Sequence, residues 1–285
     1  MQSQRERITV EAIRNSKRAG RKLVMLTAYD YTFAKLLDES EVDMVLVGDS
    51  LGMVVMGQAD TTAVTLDAML HHAQAARRGV TRALLIGDLP YPSLHGSGAD
   101  LVSDSRLFVE RAGCEAVKVE WADGIPEKVE AAVASGIAVM GHVGLTPQTA
   151  AAEGGFGMRG KDAASAERIF HQAQALANAG CFAIVLECVP DELAELITSS
   201  LSVPTIGIGS GPNCDGQVLV SYDLLGLYER FTPRFVERYA RLADSVREAV
   251  KRFGADVRQG QFPAEKHTVH LEPAELARLK SRLPA

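Results

Sequence analysis

The sequence predicts a (β/α)8 barrel, and two observations lead to that prediction. Short runs rich in Val, Ile and Leu alternate with amphipathic segments, which is typical of parallel strands joined by crossover helices. Eight such runs occur in 285 residues, and this number and length fit a (β/α)8 barrel. The predicted strands are residues 22–30, 43–49, 82–88, 115–120, 138–143, 181–187, 203–209 and a shorter run at 217–220.

A doubly wound open sheet is the alternative architecture. Its dinucleotide fingerprint is missing, because no GxGxxG motif follows the first predicted strand. The stretch GIGSG at 207–211 comes late and has the wrong spacing, so it is interpreted as a tight turn after the seventh strand. No Pro/Gly/Ser-rich linker divides the chain. We therefore expect residues 1–285 to form a single barrel domain.

Helices are expected before and after the barrel. A helix from about Thr9 to Lys17, with the Thr9 hydroxyl as its N-cap, is predicted to cover the bottom of the barrel. Residues 231–254 have a helical pattern throughout, which predicts one long helix. The stretch EPAELARLKSRLP predicts a polar helical tail, exposed or packed between subunits.

Composition narrows the classes of partner. The net charge is −6 and no Lys/Arg run is interleaved with aromatic residues, which argues against a nucleic-acid or anionic-membrane partner. No apolar stretch approaches the roughly 18 residues that span a bilayer, and the polar start MQSQRERITV has no signal-peptide core. The four cysteines show no CxxC spacing and are interpreted as reduced thiols. We expect a cytoplasmic protein.

Polar residues collect where the predicted strands end. They are Asp30, Asp49, Asp88, Glu120, His142 and Glu187. The residues beneath them in alternating register are mostly small or apolar, such as Val47 and Val45 below Asp49, or Ile86 and Leu84 below Asp88. This is the expected interior of a barrel with a polar top layer, and enzymes of this fold carry their active sites at that end.

The acids predict a divalent cation. One Asp after a strand is often only a helix N-cap or a turn former, and Asp30 could either contact ligands or merely support the mouth. Five acids at five strand ends are different, because like charges in a partly dry mouth are costly unless a cation or raised pKa values relieve them. Carboxylates without Cys, and with a single nearby His, favour a hard ion such as Mg²⁺ over Zn²⁺.

Lys118 shares a strand face with Glu120, since residues two apart in a strand point the same way. A buried lysine needs an anionic partner, which could be one of the acids or the carboxylate of a substrate. A metal and a lysine together suit a 2-oxo acid, whose keto oxygen and carboxylate the metal can chelate. Chelation acidifies the neighbouring carbon, and Glu187 on a separate strand is the candidate base.

Several stretches resemble the ketopantoate hydroxymethyltransferase family, also called 3-methyl-2-oxobutanoate hydroxymethyltransferase. They are MLTAYDYTFAKLLDESEVDMVLVGDSLGMVVMGQADTTAVTLDAMLHH, GDLPYPSL, AVKVE, GHVGLTPQ, LECVP and TIGIGSG followed by CDGQVLV. The resemblance runs from about Ile8 to Gly254. It implies a (β/α)8 barrel related to the phosphoenolpyruvate-using and isocitrate-lyase-like enzymes.

The resemblance implies a reaction as well. A hydroxymethyl group passes from 5,10-methylenetetrahydrofolate to 3-methyl-2-oxobutanoate through a Mg-bound enolate, giving 2-dehydropantoate and tetrahydrofolate on the way to pantothenate and coenzyme A. It implies that Mg²⁺ is the cofactor, that methylenetetrahydrofolate is the co-substrate, and that the chains form a homo-oligomer, commonly a decamer. Only the turn NCDG at 213–216 and a slightly extended tail depart from the family pattern.

The resemblance also implies roles for the strand-end residues. Asp49 in VGDS and Asp88 in GDLP match direct metal ligands, and Glu120 in KVE matches a third metal-site acid that acts directly or through a water. Ser50 and Lys118 match groups that hold the substrate carboxylate. Glu187 in LECVP matches the catalytic base, and His142 in GHVG matches an active-site polar residue of open role.

Two other function classes remain as alternatives. One is a metal-dependent carbon–carbon lyase acting on a 2-oxo acid, but the K-C-G-H-type cysteine motif of such lyases is missing here. The other is a barrel scaffold without catalysis. Its signature would be Ala, Asn or Gln in place of one of the expected acids or the lysine, and all of these residues are intact.

Overall fold

The computed structural model describes residues 6–150, 155 and 157–283. Eight strands form a closed, wholly parallel barrel in chain order, with β8 hydrogen-bonded to β1. The predicted (β/α)8 architecture and all eight predicted strands are therefore confirmed. The strands are β1 (Leu23–Thr27), β2 (Met44–Val47), β3 (Leu84–Asp88), β4 (Ala116–Glu120), β5 (Val139–Gly144), β6 (Ala183–Glu187), β7 (Thr205–Ile208) and β8 (Gly216–Leu219).

The helices surround and flank this barrel. In chain order they are α1 (Val10–Ser16), α2 (Tyr31–Glu39), α3 (Leu51–Val54), α4 (Leu66–Arg77), α5 (Tyr91–His95), α6 (Gly98–Glu110), α7 (Ile125–Ala134), α8 (Ala163–Asn178), α9 (Asp191–Ser200), α10 (Ser221–Leu224), α11 (Leu242–Arg258) and α12 (Pro273–Arg282). A short 3₁₀ turn, Glu265–His267, precedes α12. Within the described ranges, we find no helix with both the length and the apolar character to cross a bilayer.

Two apolar layers hold the fold together. The inner layer fills the barrel with residues such as Met25, Leu84, Ile86 and Val218. The outer layer lies between the strands and the helices, and its members include Phe108. Because alternate residues of a strand face opposite sides, each buried strand contributes to both layers. All four cysteines are buried free thiols.

Helix α1 lies against the bottom of the barrel. The Thr9 hydroxyl accepts a hydrogen bond from the backbone N–H of Ala12, 3.1 Å away, which satisfies one of the free donors of the first turn. Ile13 is fully buried and joins the apolar cluster of the barrel interior. The helix thus covers the end of the barrel opposite the strand carboxyl ends.

The prediction of one helix over residues 231–254 is wrong in its first half. Helix α11 begins only at Leu242, and residues 231–241 are irregular. Pro233 disfavours a helical conformation in the residue before it. In addition, the N–H groups of Tyr239 and Leu242 donate to the carbonyls of Leu224 and Leu225, which ties this segment to the end of α10.

Candidate active site

The sequence-predicted residues meet at the carboxyl ends of the strands. Around a cavity of about 110 Å³ the structure brings together all seven: Asp49, Ser50, Asp88, Lys118, Glu120, His142 and Glu187. Below them the cavity has an apolar wall that includes Met25, Leu46, Val185 and Val218. A larger cleft, about 610 Å³, lies by α1 at the other end and is lined by Arg14, Arg18 and Val203 among others. It contains none of the converging acids, so the smaller cavity is the candidate active site.

Sheet register explains the pairing of charges. Asp88 on β3 is level with Lys118 on β4, and Glu120 on β4 is level with His142 on β5. Neighbouring strands lie about 4.8 Å apart, so level side chains on the same face come within ion-pair distance. Lys118 Nζ lies 2.7 Å from Asp88 Oδ1 and 3.7 Å from Glu120 Oε1. The lysine is buried and held between two carboxylates from adjacent strands.

His142 on β5 lies between acids of the two strands beside it, Glu120 on β4 and Glu187 on β6. Its Nδ1 is 3.3 Å from Glu120 Oε1, and its Nε2 is 3.3 Å from Glu187 Oε2. Burial and the Lys118 ammonium disfavour the imidazolium, but the two carboxylates outweigh both and raise the His142 pKa to about 9. His142 is therefore cationic at neutral pH, and its 3.4 Å approach to Lys118 Nζ is a like-charge contact that the carboxylates offset.

Asp49 reaches the mouth in a way that the strand pattern does not predict. Val45 and Val47 belong to the outer layer, whereas Met44 and Leu46 face the barrel interior. The expectation that the two valines lie beneath Asp49 inside the barrel is therefore wrong. Strand β2 ends at Val47, and the turn that follows brings Asp49 inward, where its N–H donates to Asp88 Oδ2 at 3.2 Å.

Glu187 lies at the end of β6 beside two unusual backbone positions. Gly144 is level with it on β5 and has φ of +98°, and a Cβ there would come within 2.3 Å of the Glu187 carbonyl oxygen. Cys188 follows it in the left-handed region with φ of 49°, a conformation that costs energy in a residue with a side chain and that clusters at functional sites. Glu187 itself is the least buried of the ionisable cavity residues for which ion pairs are described, with a side chain 17% exposed.

Two residues of the site escaped the sequence-based interpretation. The Gln148 amide lies between Asp49 and the carbonyl of Leu89, and its backbone N–H donates to Glu120. The Tyr29 hydroxyl lies 2.9 Å from Ser50 Oγ. Both residues stand in the stretches that carry the family resemblance, GHVGLTPQ and LTAYD. However, Gln148 lies in a loop and Tyr29 precedes a helix, so strand periodicity does not mark them.

Asp30 has a structural position. Its carboxylate accepts a hydrogen bond of 2.9 Å from the backbone N–H of Phe33 and forms the N-cap of α2. It does not line the mouth cavity. The sequence left open whether Asp30 contacts ligands or supports the mouth, and its place as the N-cap of α2 favours a supporting role.

The charges of the site leave an excess of negative charge. Burial disfavours the charged form of Lys118, but the neighbouring carboxylates of Asp88, Glu120 and Asp49 outweigh burial and raise the pKa of the ammonium. Burial, followed by the nearby charges of Asp88 and Glu120, raises the pKa of Asp49 well above its usual value. The cavity thus holds four carboxyl groups against two cationic side chains, Lys118 and His142, and the raised pKa values of Asp49 and Asp88 show that full ionisation of the acids is disfavoured.

The donor set fits a hard divalent cation. Asp88 Oδ1 and Glu120 Oε1 are buried and make no hydrogen bond of good geometry, although each has an ammonium or imidazolium within ion-pair distance. Within the part of the chain that the structure describes, no group of three or more His, Cys, Asp and Glu side chains already has metal-ligand geometry. Mg²⁺ suits this arrangement, because it commonly takes one or two carboxylates and completes its shell with water and substrate.

Fold and site together define a class: a (β/α)8-barrel enzyme with a small, charged active site at the strand carboxyl ends. Comparison with known proteins identifies the family. The family model for ketopantoate hydroxymethyltransferase matches residues 7–265, and the chain belongs to that family of transferases.

Relatives from named organisms match this chain over nearly their whole length at about half identity. The chain is 50% identical over 267 residues to the 3-methyl-2-oxobutanoate hydroxymethyltransferase of Syntrophus aciditrophicus, covering 94% of this chain and 98% of that one. It is 51% identical over 272 residues to the protein of that name in Oleidesulfovibrio alaskensis, covering 95% of this chain and 93% of the other. The family therefore spans nearly the whole chain.

Solved structures of other enzymes share this fold. A 2,3-dimethylmalate lyase of the PEP mutase/isocitrate lyase superfamily superimposes with a TM-score of 0.60 at 17% identity, over 95% of this chain and 94% of its own. A phosphonopyruvate hydrolase in complex with oxalate and Mg²⁺ superimposes with a TM-score of 0.59 at 16% identity, over 95% and 94%. At this identity the likeness concerns the fold alone.

Proposed function

We propose that this chain transfers a hydroxymethyl group from 5,10-methylenetetrahydrofolate to 3-methyl-2-oxobutanoate, giving 2-dehydropantoate and tetrahydrofolate for pantothenate synthesis. The observation that carries the proposal is the single cavity in which a buried ammonium, a serine hydroxyl and four carboxylates converge above an apolar wall. Membership of the family supplies the reaction. Each group in the cavity corresponds to one requirement of that chemistry.

Mg²⁺ would be held by Asp49 and Asp88, with Glu120 acting on it directly or through a water. Three features support this assignment: the excess negative charge, the raised pKa of Asp49 and the oxygen-only donor set. When bound, the ion would polarise the 2-oxo group and so acidify the neighbouring carbon.

Lys118 and Ser50 would bind the carboxylate of the oxo acid. The ammonium is kept charged by its neighbours despite burial, so it can neutralise a substrate carboxylate without a change of protonation. The Ser50 hydroxyl is held 2.9 Å from the Tyr29 hydroxyl, and one of the two can donate to the other. A serine that receives this hydrogen bond keeps its own O–H for the substrate.

Glu187 would remove the proton from carbon 3 of the oxo acid. The electrons of the broken C–H bond then form the enolate, and the enolate carbon attacks the methylene group of the folate. Both C–N bonds of that methylene group break and water supplies its hydroxyl. The proton taken from carbon 3 and one proton of the water go to the two folate nitrogens, which leaves tetrahydrofolate. His142, cationic at neutral pH and 3.3 Å from Glu187 Oε2, would orient this carboxylate.

The cavity also suits the size and shape of the acceptor. About 110 Å³ is small for a ligand site, so it can hold a short branched oxo acid but not a folate. The wall formed by Leu46, Val185 and Val218 offers apolar contacts for an isopropyl group. We propose that the pterin stays outside, at the rim of the barrel, with only its methylene carbon reaching the cavity.

We further propose that the chain works in the cytoplasm as one barrel domain within a homo-oligomer, and that this oligomer is a decamer. The four buried free thiols are in keeping with a reducing compartment. Val246, Val250, Phe253 and Val257 form an exposed apolar stripe on α11, a helix with no buried residue within the described chain. Their spacing of four, three and four residues suits packing against a second copy.

The test is solvent exchange at carbon 3. The protein is mixed with 3-methyl-2-oxobutanoate in D₂O, with Mg²⁺ or with EDTA and without folate, and the carbon-3 proton is followed by NMR. We expect Mg²⁺-dependent loss of the signal, and a 10²–10⁴-fold slower loss in Glu187→Gln. Glu192→Gln, on the exposed first turn of α9, is the matched control and should match the wild type.

Two outcomes would contradict the proposal. Exchange at the background rate with Mg²⁺, together with no 2-dehydropantoate after folate is added, would refute the reaction. Normal exchange in Glu187→Gln would leave the reaction standing and remove Glu187 as its base.

A further inference from the structure

Gln148 lies in a loop but contacts two acids of the site, Asp49 and Glu120. It follows β5 in the turn Thr146–Thr149, which is closed by a hydrogen bond of 3.0 Å from Thr149 N to the Thr146 carbonyl. Its side chain is 4% exposed. Burying a primary amide is costly unless its hydrogen bonds are satisfied, so its partners reveal what it does.

The amide nitrogen uses both of its hydrogens on fixed acceptors. Gln148 Nε2 lies 2.9 Å from Asp49 Oδ2 and 3.0 Å from the carbonyl oxygen of Leu89. A flipped amide would set its oxygen against both acceptors, so the chemistry of the partners defines its orientation. Asp49 follows β2 and Leu89 follows Asp88 on β3, and one side chain thus ties together the ends of two strands.

The backbone of the same residue reaches a third strand. Gln148 N donates to Glu120 Oε2 at 3.1 Å, at the end of β4. Glu120 is left with Oε1, and Asp49 with the oxygen that the amide does not bind. Gln148 therefore fixes one oxygen of each of the two carboxylates and does not bind the other, which on Glu120 lies beside His142 and Lys118.

A neutral donor is the right group for this position. An arginine or lysine there would neutralise the acids and compete with a cation, whereas an amide donates two hydrogen bonds and adds no charge. The remaining amide oxygen, Oε1, is buried and has no hydrogen-bond partner among the described residues. A water carried by a hydrated cation would supply the missing donor.

We propose that Gln148 is a positioning residue that sets the orientation of the Asp49 and Glu120 carboxylates and so determines the affinity of the site for a divalent cation and its oxo acid. The inference rests on the proposed metal site. It concerns binding, because Gln148 acts through two carboxylates and transfers no proton. Loss of such an outer contact typically weakens metal affinity 10–100-fold.

The first measurement is Mg²⁺ binding to the substrate-free protein by titration calorimetry. Gln148→Met keeps the length of the side chain but removes both donors, and we expect its Kd for Mg²⁺ to rise 10–100-fold. Gln74→Met is the matched control, since Gln74 also donates its amide to a backbone carbonyl, that of Arg111, but does so on the outer helices. Its Kd should equal that of the wild type.

The second measurement is steady-state kinetics at varied Mg²⁺ and oxo acid. For Gln148→Met we expect both apparent affinities to fall by a similar factor, with kcat at saturation within about threefold of the wild type. If that variant does not fold, as judged by its metal-free thermal unfolding, Gln148→Asn takes its place. Its amide is one bond shorter and cannot reach both acceptors, so the same losses are expected at a smaller size.

The outcomes separate this inference from the proposed function. A wild-type Kd for Mg²⁺ in the folded Gln148 variant would overturn the inference and leave the function intact. A wild-type protein that binds no Mg²⁺ and exchanges no carbon-3 proton would overturn both. A fall in kcat with unchanged affinities would also overturn it, because it would make Gln148 part of the chemical step.

Discussion

Replacing Lys118 by Met should leave the acids of the site without their buried ammonium and lower the free energy of unfolding. At an effective dielectric constant of about 20, the distances of 2.7 and 3.7 Å to Asp88 and Glu120 correspond to attractions of roughly 6 and 4 kcal/mol. Desolvation of the ammonium cancels much of that sum. Measured truncations of one member of a buried pair give about 3–5 kcal/mol, and we expect this loss in the free energy of unfolding at pH 8.

The loss should shrink as the pH falls. Without the ammonium, the pKa values of Asp49 and Asp88, already raised by burial, rise further. A carboxyl whose folded pKa exceeds its unfolded value stabilises the fold below the unfolded pKa, and this contribution is lost as the pH rises through the folded pKa. Proton uptake by these acids should therefore recover part of the stability at pH 5, by about 1–2 kcal/mol.

The assay is urea unfolding at fixed protein concentration, with EDTA present, at pH 5 and pH 8. The matched control is Lys17→Met, because Lys17 also lies 2.7 Å from a carboxylate, that of Asp215, but at the opposite end of the barrel and with both side chains 17–18% exposed. We expect this control to lose about 1 kcal/mol at both pH values. A Lys118→Met protein that loses less than the control, or loses the same amount at both pH values, would refute the charge-balance reasoning.

Two further predictions concern regions outside the site. Asp38→Asn should cost about 1–3 kcal/mol, since the carboxylate accepts hydrogen bonds from the backbone N–H groups of residues 81–83 and from the Thr81 hydroxyl. Burial opposes the charged form of Asp38, but these hydrogen bonds outweigh burial and lower the pKa of the carboxyl. The stabilisation by Asp38 should therefore be present above pH 4 and be lost as the pH falls through the folded-state pKa. Acid unfolding that is identical in the wild type and the variant would contradict this prediction. If the proposed oligomer forms through the α11 stripe, Val250→Asp should dissociate it in sedimentation experiments, whereas Ala255→Asp, on the other face of α11, should leave its mass unchanged. Loss of assembly in both variants, or in neither, would count against the stripe as the subunit contact.

The strand-end chemistry was predictable from sequence where the strand carries the residue itself. On β3 to β6, alternation alone puts Asp88, Lys118, Glu120, His142 and Glu187 in the barrel interior, and the structure has them there. On β2 the same reasoning failed, because Asp49 follows the end of the strand and a turn, rather than the pleat, directs its side chain. Periodicity holds only as far as the strand hydrogen bonds extend.

Register and loops were beyond the sequence for a different reason. The partner of Lys118 depends on which residue of β3 lies level with it, and this offset is set by the closure of the whole barrel. Gln148 lies in an irregular loop, where spacing in sequence says nothing about which strand ends it will touch. The helical pattern over residues 231–241 was overridden by Pro233 and by backbone hydrogen bonds to the end of α10.

The cationic and acidic side chains of the site stabilise one another, but their numbers are unequal. Lys118 and His142 each lie between two carboxylates from neighbouring strands, so each cation stabilises acids that the apolar barrel beneath could not tolerate alone. Yet the two cations do not match the four acids. A divalent cation would complete the balance. Without a metal, the excess is relieved through the raised pKa values of Asp49 and Asp88, so a divalent cation that binds there takes the place of protons. The barrel register itself brings together the carboxylates that would bind the metal. Gln148 is then needed only to orient them.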